Sequence, residues 1–143
     1  MRMEKYPQAI DALTHATQLF PEFVRGYYTL ANALLRIGNV HEAVTAYDWT
    51  LKLCPGYTTA KVELGTILVF LKQLERAETL LVSALKDDPE HTDALYSLGR
   101  LYHSQSRPCE ALKLLECFLR LSRNTNLNIQ VERTCQTLRQ EGA

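Results

Sequence analysis

The chain has no net charge and no long hydrophobic run, and each absence removes a class of function. Sixteen lysines and arginines balance sixteen aspartates and glutamates over 143 residues. A protein that binds nucleic acid or an anionic membrane surface normally shows a basic excess, so we expect neither partner. The most apolar run, VELGTILVFL, contains Glu63 and is shorter than the roughly 18 residues that a membrane span needs. We therefore expect no membrane insertion.

Cysteine is scarce, and none of the four cysteines forms a CxxC pair. Cys54, Cys109, Cys117 and Cys135 lie far apart in the sequence, and no histidine stands at zinc-finger spacing from them. A disulfide framework is one interpretation. Free thiols that act as small apolar residues in a reducing compartment are the other, and we favour it. The N-terminal MRMEKYPQAI lacks the apolar core of a secretory signal. We expect an intracellular, cytoplasmic protein without a metal site.

Catalytic motifs are also absent. The sequence contains no glycine-rich phosphate loop, no HExxH and no GxSxG. His103 lies six residues before Cys109, which would allow a thiolate–imidazole pair, but a solvated turn between two helices explains the same spacing. We favour the turn, and we expect neither enzymatic activity nor a cofactor.

What the sequence does contain is repetition with a period of 34 residues. Four columns of residues share this period, and so many coincidences in a short chain indicate a structural repeat. The columns are a proline (Pro21, Pro55, Pro89), an alanine (Ala9, Ala43, Ala77, Ala111), a leucine before a small residue (Leu30-Ala31, Leu64-Gly65, Leu98-Gly99) and a large apolar residue (Leu13, Tyr47, Leu81, Leu115).

Each period of 34 residues predicts a pair of helices. Apolar residues along VRGYYTLANALLRIG follow the i, i+3, i+4, i+7 spacing of one helix face. Gly38 and Asn39 then break that helix, and a second periodic segment begins at Val40. Pro55 ends the second helix, because the residue before a proline is pushed out of helical geometry. The small residues let the two backbones approach closely, so a large side chain there should overpack the contact.

These columns resemble the tetratricopeptide repeat (TPR) family. The chain departs from the family pattern at Lys61, where an aromatic is usual, at Phe118, where a small residue is usual, and at Arg123, which replaces the proline. The resemblance implies an all-α fold, a right-handed superhelical solenoid of antiparallel helix pairs. We predict one domain over 1–143. It comprises the second helix of an incomplete repeat at 1–23, repeats at 24–57, 58–91 and 92–125, and a capping helix at 126–143.

The two ends lead to different expectations. The first helix that would pair with 1–23 is missing, which leaves apolar surface that a neighbouring repeat normally covers. We expect either a fragment of a longer array or a homodimer that covers this edge, and we favour the fragment. At the other end, Leu127, Val131, Cys135 and Leu138 share one face, while Arg133 replaces the small residue. We therefore expect a polar cap at which the array ends.

The resemblance also implies a binding surface, because in this family the first helix of each pair lines a concave groove. We expect a protein-interaction scaffold that binds a peptide segment or helix of an unidentified partner there. A self-associating module or the targeting arm of a larger protein or enzyme is the alternative. The expected groove residues lie beside the packing columns: Arg25, Tyr28, Thr29, Asn32, Arg36, Thr59, Val62, Glu63, Thr66, Phe70, Asp93, Tyr96, Ser97, Arg100 and His103.

One known type of peptide recognition can be compared residue by residue. Chaperone-binding members of the family clamp a C-terminal carboxylate with asparagines and basic residues, and only Asn32 matches that set. Tyr28 stands at a lysine position and Glu63 at an asparagine position, while Asp93 and Ser97 stand at the basic positions. Acidic residues repel a carboxylate, so we expect no carboxylate clamp. Asn32 itself lies off the packing columns and is expected to face the groove rather than the core.

Overall fold

The computed structural model describes residues 6–142. Over this range the chain forms eight α-helices and no strand. The helices are α1 (Tyr6–Leu19), α2 (Val24–Arg36), α3 (Val40–Leu53), α4 (Thr58–Phe70), α5 (Leu74–Asp87), α6 (Thr92–Ser104), α7 (Pro108–Leu121) and α8 (Thr125–Gly142). The prediction of an all-α protein built from helix pairs is confirmed.

The turn inside each helix pair needs a residue with left-handed backbone geometry. Gly38, Lys72 and Ser106 occupy this turn position in successive pairs, with φ angles of 88°, 66° and 58°. Glycine adopts this geometry without steric cost, whereas lysine and serine do not. The sequence marks the break clearly only at Gly38, yet the same backbone shape recurs at the other two turns.

The chain divides into two compact units, Met1–Ala60 and Lys61–Ala143. The sequence predicts one continuous array, and the division falls inside α4. Residues in a repeat array contact mainly their neighbours in sequence, so such a chain has no single central core. We refer to the two parts as unit 1 and unit 2 and describe each by itself.

The core of unit 1 is formed by the predicted packing columns. Helix α1 contacts α2, and α2 contacts α3. Ala31, Ala43 and Tyr47 are completely buried, and Leu34 is nearly so. The small side chains of the two alanines let α2 and α3 approach each other, and the Tyr47 ring fills the space beside them.

The core of unit 2 follows the same plan, with glycine at the small-residue positions. A Cβ atom added to Gly65 would lie 2.8 Å from Cγ of Leu81, and one added to Gly99 would lie 2.7 Å from Cδ2 of Leu115. These distances are too short for real carbon atoms, so the leucines occupy the space that a side chain would need. The expectation that this column must stay small therefore has a direct physical basis.

Helix α8 covers α7 with an apolar face and exposes a polar one. Val131, Cys135 and Leu138 are buried and Leu127 is half-buried, which confirms that these residues share a face. Asn124 begins the helix, because its side-chain oxygen accepts a hydrogen bond of 3.1 Å from the backbone N–H of Leu127.

All four cysteines are free thiols, and Cys135 is the most buried of them. Burial raises the pKa of the Cys135 thiol and so favours its neutral form. Within residues 6–142, no group of histidine, cysteine, aspartate and glutamate side chains could hold a metal ion. In the same range, no helix is long and apolar enough to cross a membrane.

Candidate functional site

The expected groove residues fall on the first helix of each pair, and the unit boundary separates them into two groups. Helix α2 holds Arg25, Tyr28, Thr29, Asn32 and Arg36, and Thr59 lies in the part of α4 that belongs to unit 1. In unit 2, Val62, Glu63, Thr66 and Phe70 lie on α4, and Asp93, Tyr96, Ser97, Arg100 and His103 lie on α6. We call the unit 1 group on α2 the α2 face.

Tyr28 stands in an aromatic cluster in unit 1. The centre of its ring is 4.9 Å from that of Tyr57 and 6.2 Å from that of Tyr47. Such tilted and edge-to-face pairs are favourable arrangements of aromatic rings. The rings of Tyr28 and Tyr57 are half-buried, so this pair both packs and presents aromatic surface. The sequence did not indicate Tyr57, because it lies in the loop before α4 and belongs to no packing column.

Asn32 is more closely tied to the core than the sequence predicts. It is half-buried, and its Oδ1 atom accepts a hydrogen bond from the hydroxyl of Tyr47. Because that bond uses the amide oxygen, the Nδ2 group is left as the donor of Asn32. No acceptor contacts Nδ2 among residues 6–142, and this atom is not buried. Asn32 is therefore a structural hydrogen-bond acceptor and an available donor at the same time.

The remaining residues of the α2 face give it a positive charge. Arg25 and Arg36 are exposed near the two ends of α2, and the helix contains no aspartate or glutamate. Thr29 is exposed, but its hydroxyl donates a hydrogen bond of 2.8 Å to the backbone oxygen of Arg25. The α2 face, which we take from here on to include the adjacent Tyr57, thus combines two aromatic rings, one oriented amide donor and two guanidinium groups.

Two hydroxyl residues expected to line the groove contact each other in unit 2. The oxygen atoms of Thr66 and Ser97 are 2.8 Å apart. The Thr66 hydroxyl donates its proton to the backbone oxygen of Val62 at 2.8 Å. The proton between Thr66 and Ser97 therefore comes from Ser97. Ser97 is only 9% exposed, so this pair links α4 to α6, and the Ser97 side chain is largely buried, contrary to the expectation that it lines a groove.

The other expected residues of unit 2 differ widely in exposure. Phe70 is 78% exposed, whereas Val62 is 3% exposed. Val62 is therefore a core residue whose side chain a ligand does not reach, contrary to the expectation that it lines a groove. Tyr96 packs its ring 5.4 Å from that of Phe118, and the guanidinium of Arg100 lies 5.5 Å from the Tyr96 ring.

The remaining expected groove residues differ mainly in their exposure. Asp93 and His103 are exposed on α6, Glu63 is half-buried on α4, and Thr59 is exposed near the start of α4.

The contact between Tyr96 and Phe118 explains one departure from the family pattern. Phe118 stands on α7 where a small residue is usual, and its ring packs against the ring of Tyr96 on the neighbouring helix α6.

A polar network in unit 2 was not indicated by the sequence. Lys61 is 8% exposed, and its ammonium lies 2.6 Å from Oδ2 of Asp87 and 2.9 Å from Oγ of Ser83. Burial of a lysine is costly unless a carboxylate neutralises it. The only signal in the sequence was that Lys61 replaces an aromatic residue, which does not identify its partners.

Comparisons with known proteins agree with this architecture. The model of the family described as tetratricopeptide repeat matches residues 1–58 and 62–123. The Hsp70-Hsp90 organizing protein 3 of Arabidopsis thaliana is 27% identical over 97 residues, which are 68% of this chain and 17% of that protein. The chain thus spans about a sixth of the length of the curated relatives that it matches.

Solved structures show the same fold at low identity. A MamA structure from Desulfovibrio magneticus RS-1 has a TM-score of 0.84 at 21% identity, covering 96% of this chain and 76% of that one. The first TPR of Spaghetti (RPAP3), bound to the HSP90 peptide SRMEEVD, has a TM-score of 0.74 at 19% identity, covering 82% of this chain and 91% of that one. Both likenesses support the solenoid fold of helix pairs predicted from the repeat.

Proposed function

The chain belongs to the tetratricopeptide repeat family, and we propose that it is a protein-interaction scaffold whose α2 face holds an extended peptide segment of a partner. The observation that supports this most is the contact between Asn32 and Tyr47, which leaves an oriented donor beside the Tyr28–Tyr57 ring pair. A rigid aromatic surface next to a fixed polar group is the usual composition of a peptide-binding hot spot.

Each part of the α2 face would bind a different part of the peptide. The half-buried rings of Tyr28 and Tyr57 offer a surface for an apolar or aromatic side chain. The Nδ2 group of Asn32 can donate to a backbone carbonyl, which an extended chain leaves unpaired. Arg25 and Arg36 favour acidic residues at either end of the bound segment.

In unit 2 we propose a second, more polar contact surface on α4 and α6. Glu63, Thr66 and Arg100 supply groups of both charges and a hydroxyl, and the exposed Phe70 supplies an apolar contact. This mixed composition favours oriented hydrogen bonds over bulk charge attraction.

The relatives support peptide binding without identifying this chain's peptide. The RPAP3 domain is bound to SRMEEVD. We propose that this chain uses a different mode, because Tyr28, Glu63 and Asp93 do not provide the positive charge that a terminal carboxylate needs. TPR-fold proteins are generally scaffolds rather than enzymes, and we propose the same of this chain. The four free thiols support the cytoplasmic location that we propose.

Selection from a display library of random peptides tests the proposal even though the partner is unidentified. The full chain is expected to enrich peptides that share an apolar or aromatic residue with acidic neighbours. When such a peptide is titrated into labelled protein, backbone amide shifts should change along α2 around Tyr28 and Asn32. Enrichment of unrelated sequences, or shifts confined to α3, would contradict the proposal.

Self-association is a second candidate, and an exposed apolar patch in unit 1 favours it. Leu19, Phe20 and Phe23 are 60%, 66% and 41% exposed around the turn between α1 and α2. Apolar side chains clustered in this way often mark an interface. Sedimentation over a concentration series should then show a dimer that Leu19→Gln/Phe20→Gln abolishes. A monomer at all concentrations would rule this candidate out.

A further inference from the structure

Unit 2 contains an open cleft that is separate from the helix faces discussed above. It lies where side chains of α5, α6 and α7 meet, and its volume is about 360 Å³. We call it the α5–α7 cleft. Its lining consists of five apolar or aromatic residues and three charged ones: Val82, Leu85, Leu98, Tyr102, Leu114, Lys86, Glu110 and Lys113.

The floor of the cleft is apolar and well packed. Leu98 is 3% exposed and Tyr102 is 8% exposed, while Val82, Leu85 and Leu114 are half-buried around them. The hydroxyl of Tyr102 donates to Oε1 of Glu78 at 3.0 Å, so the phenol is already hydrogen-bonded. The half-buried Val82, Leu85 and Leu114 therefore offer a ligand hydrophobic surface, which favours apolar side chains, and Leu98 and Tyr102 form the packed base of the cleft.

The rim of the cleft carries a net positive charge. Arg107 holds Glu110 through two nitrogen–oxygen contacts, one of them 2.8 Å from Nε to Oε1. The hydrogen bonds from Arg107 hold the pKa of the Glu110 carboxyl below its usual range, and the charge of Lys113 adds to this effect. Lys86 and Lys113 are exposed, and neither forms a salt bridge among residues 6–142. These two ammonium groups remain for a ligand with acidic groups.

The backbone N–H and C=O groups of the cleft are not available to hydrogen-bond a ligand. Val82, Leu98 and Leu114 lie inside helices, where the N–H and C=O groups bond along the helix. An extended peptide laid on this floor would receive no hydrogen bonds for the backbone groups that face it, which costs free energy wherever water is displaced from those groups. A helical ligand avoids that cost, because its backbone hydrogen bonds are internal and only its side chains enter the cleft.

From this geometry we propose that the α5–α7 cleft is a further docking site, distinct from the two contact surfaces proposed above, which binds an amphipathic helix of a partner protein. The helix places two apolar side chains, one helical turn apart, against the half-buried side chains of Val82, Leu85 and Leu114. Aspartate or glutamate residues beside those anchors contact Lys86 and Lys113. The site is independent of the α2 face, so the scaffold binds a helix here whatever it binds in unit 1.

The test uses the full chain and two synthetic fluorescent peptides. One forms a helix with leucines on one face and glutamates beside them, and the other has the same composition in scrambled order. Fluorescence anisotropy should show at least about tenfold tighter binding of the amphipathic peptide. Equal binding of the two peptides would overturn the proposal.

Charge-reversal variants at the rim test whether the acidic peptide binds in the α5–α7 cleft. Lys86→Glu/Lys113→Glu should weaken binding of the acidic peptide by about tenfold, and a lysine-flanked version of the peptide should recover the loss on this variant. The matched control is Arg123→Glu/Arg133→Glu, which changes the same number of exposed charges outside the cleft and should keep wild-type affinity. Equal effects of the two variants would overturn the site. A dimer of the free chain that the Lys86→Glu/Lys113→Glu change disrupts would also overturn it, in favour of a second copy as the occupant.

Discussion

The hydroxyl of Tyr47 on α3 donates a hydrogen bond to the side-chain oxygen of Asn32 on α2, so a core residue orients a half-buried amide. The Tyr47 side chain is completely buried and belongs to the column of large residues that packs each helix pair. One contact therefore joins the residue that holds the fold together to the residue assigned to peptide binding. Variants of Asn32 must separate these two roles.

The first prediction concerns the stability of this contact. Asn32→Ala should lower the free energy of unfolding by about 1–2 kcal/mol, because the Tyr47 hydroxyl loses its Asn32 acceptor. Asn32→Asp keeps an acceptor at the same place and should be closer to wild type. In urea unfolding, Tyr47→Phe/Asn32→Ala should cost less than the two single changes added together. Strict additivity would mean that the two side chains do not interact.

The second prediction concerns the turn position occupied by Gly38, Lys72 and Ser106. Lysine and serine are strained at their positive φ angles of 66° and 58°. Lys72→Gly and Ser106→Gly should each raise the free energy of unfolding by about 0.5–1 kcal/mol. Relief of the backbone strain outweighs the extra conformational entropy that glycine loses on folding.

The neighbouring Gln105 provides the control for these turn variants. Its φ angle is −91°, so Gln105→Gly removes no strain and should lower stability or leave it unchanged. Urea or thermal unfolding of the three variants measures the difference. A stabilising Gln105→Gly, or a destabilising Ser106→Gly, would contradict the explanation.

The helix pairs could be predicted from the sequence because their packing is periodic. Ala43, Tyr47 and Leu81 are completely buried at the column positions that the period of 34 residues identifies. Close packing constrains the size of each such residue, and that constraint is visible in the sequence itself.

The details of the candidate site could not be predicted in the same way. Whether Asn32 meets Tyr47, or Thr66 meets Ser97, depends on side-chain rotamers and on distances between helices that spacing does not specify. Val62 was expected to be accessible from its helical position, but neighbouring side chains bury it. Periodicity identifies the face of a residue, whereas accessibility also depends on what packs against that face.

The third prediction concerns the buried lysine of unit 2. Asp87→Ala should lower the free energy of unfolding by about 1–2 kcal/mol, because it leaves the ammonium of Lys61 without its carboxylate. This value is below that of a fully buried pair, since the Asp87 side chain is 40% exposed. Lys61→Met/Asp87→Ala should recover most of the loss, because an apolar side chain suits the packing column. A double variant less stable than Asp87→Ala would contradict this account of Lys61.

The fourth prediction concerns the SRMEEVD peptide that the RPAP3 domain binds. We expect this chain to bind SRMEEVD and its C-terminally amidated form with equal affinity, because Glu63 and Asp93 cannot attract a terminal carboxylate. Isothermal titration calorimetry with both peptides measures the difference. At least about tenfold tighter binding of the free-acid form would show a carboxylate clamp after all.

The most direct test of the central claim compares the affinity of one selected peptide for two variants of the full chain. Tyr28→Ala/Asn32→Asp removes the ring and the amide donor of the α2 face but keeps an acceptor for Tyr47, while His41→Ala/Thr45→Ala changes exposed residues of α3. We expect at least about tenfold weaker binding by the first variant, equivalent to about 1.4 kcal/mol, with the affinity of the second unchanged. Wild-type affinity in Tyr28→Ala/Asn32→Asp would contradict the assignment of the α2 face as the peptide-binding site.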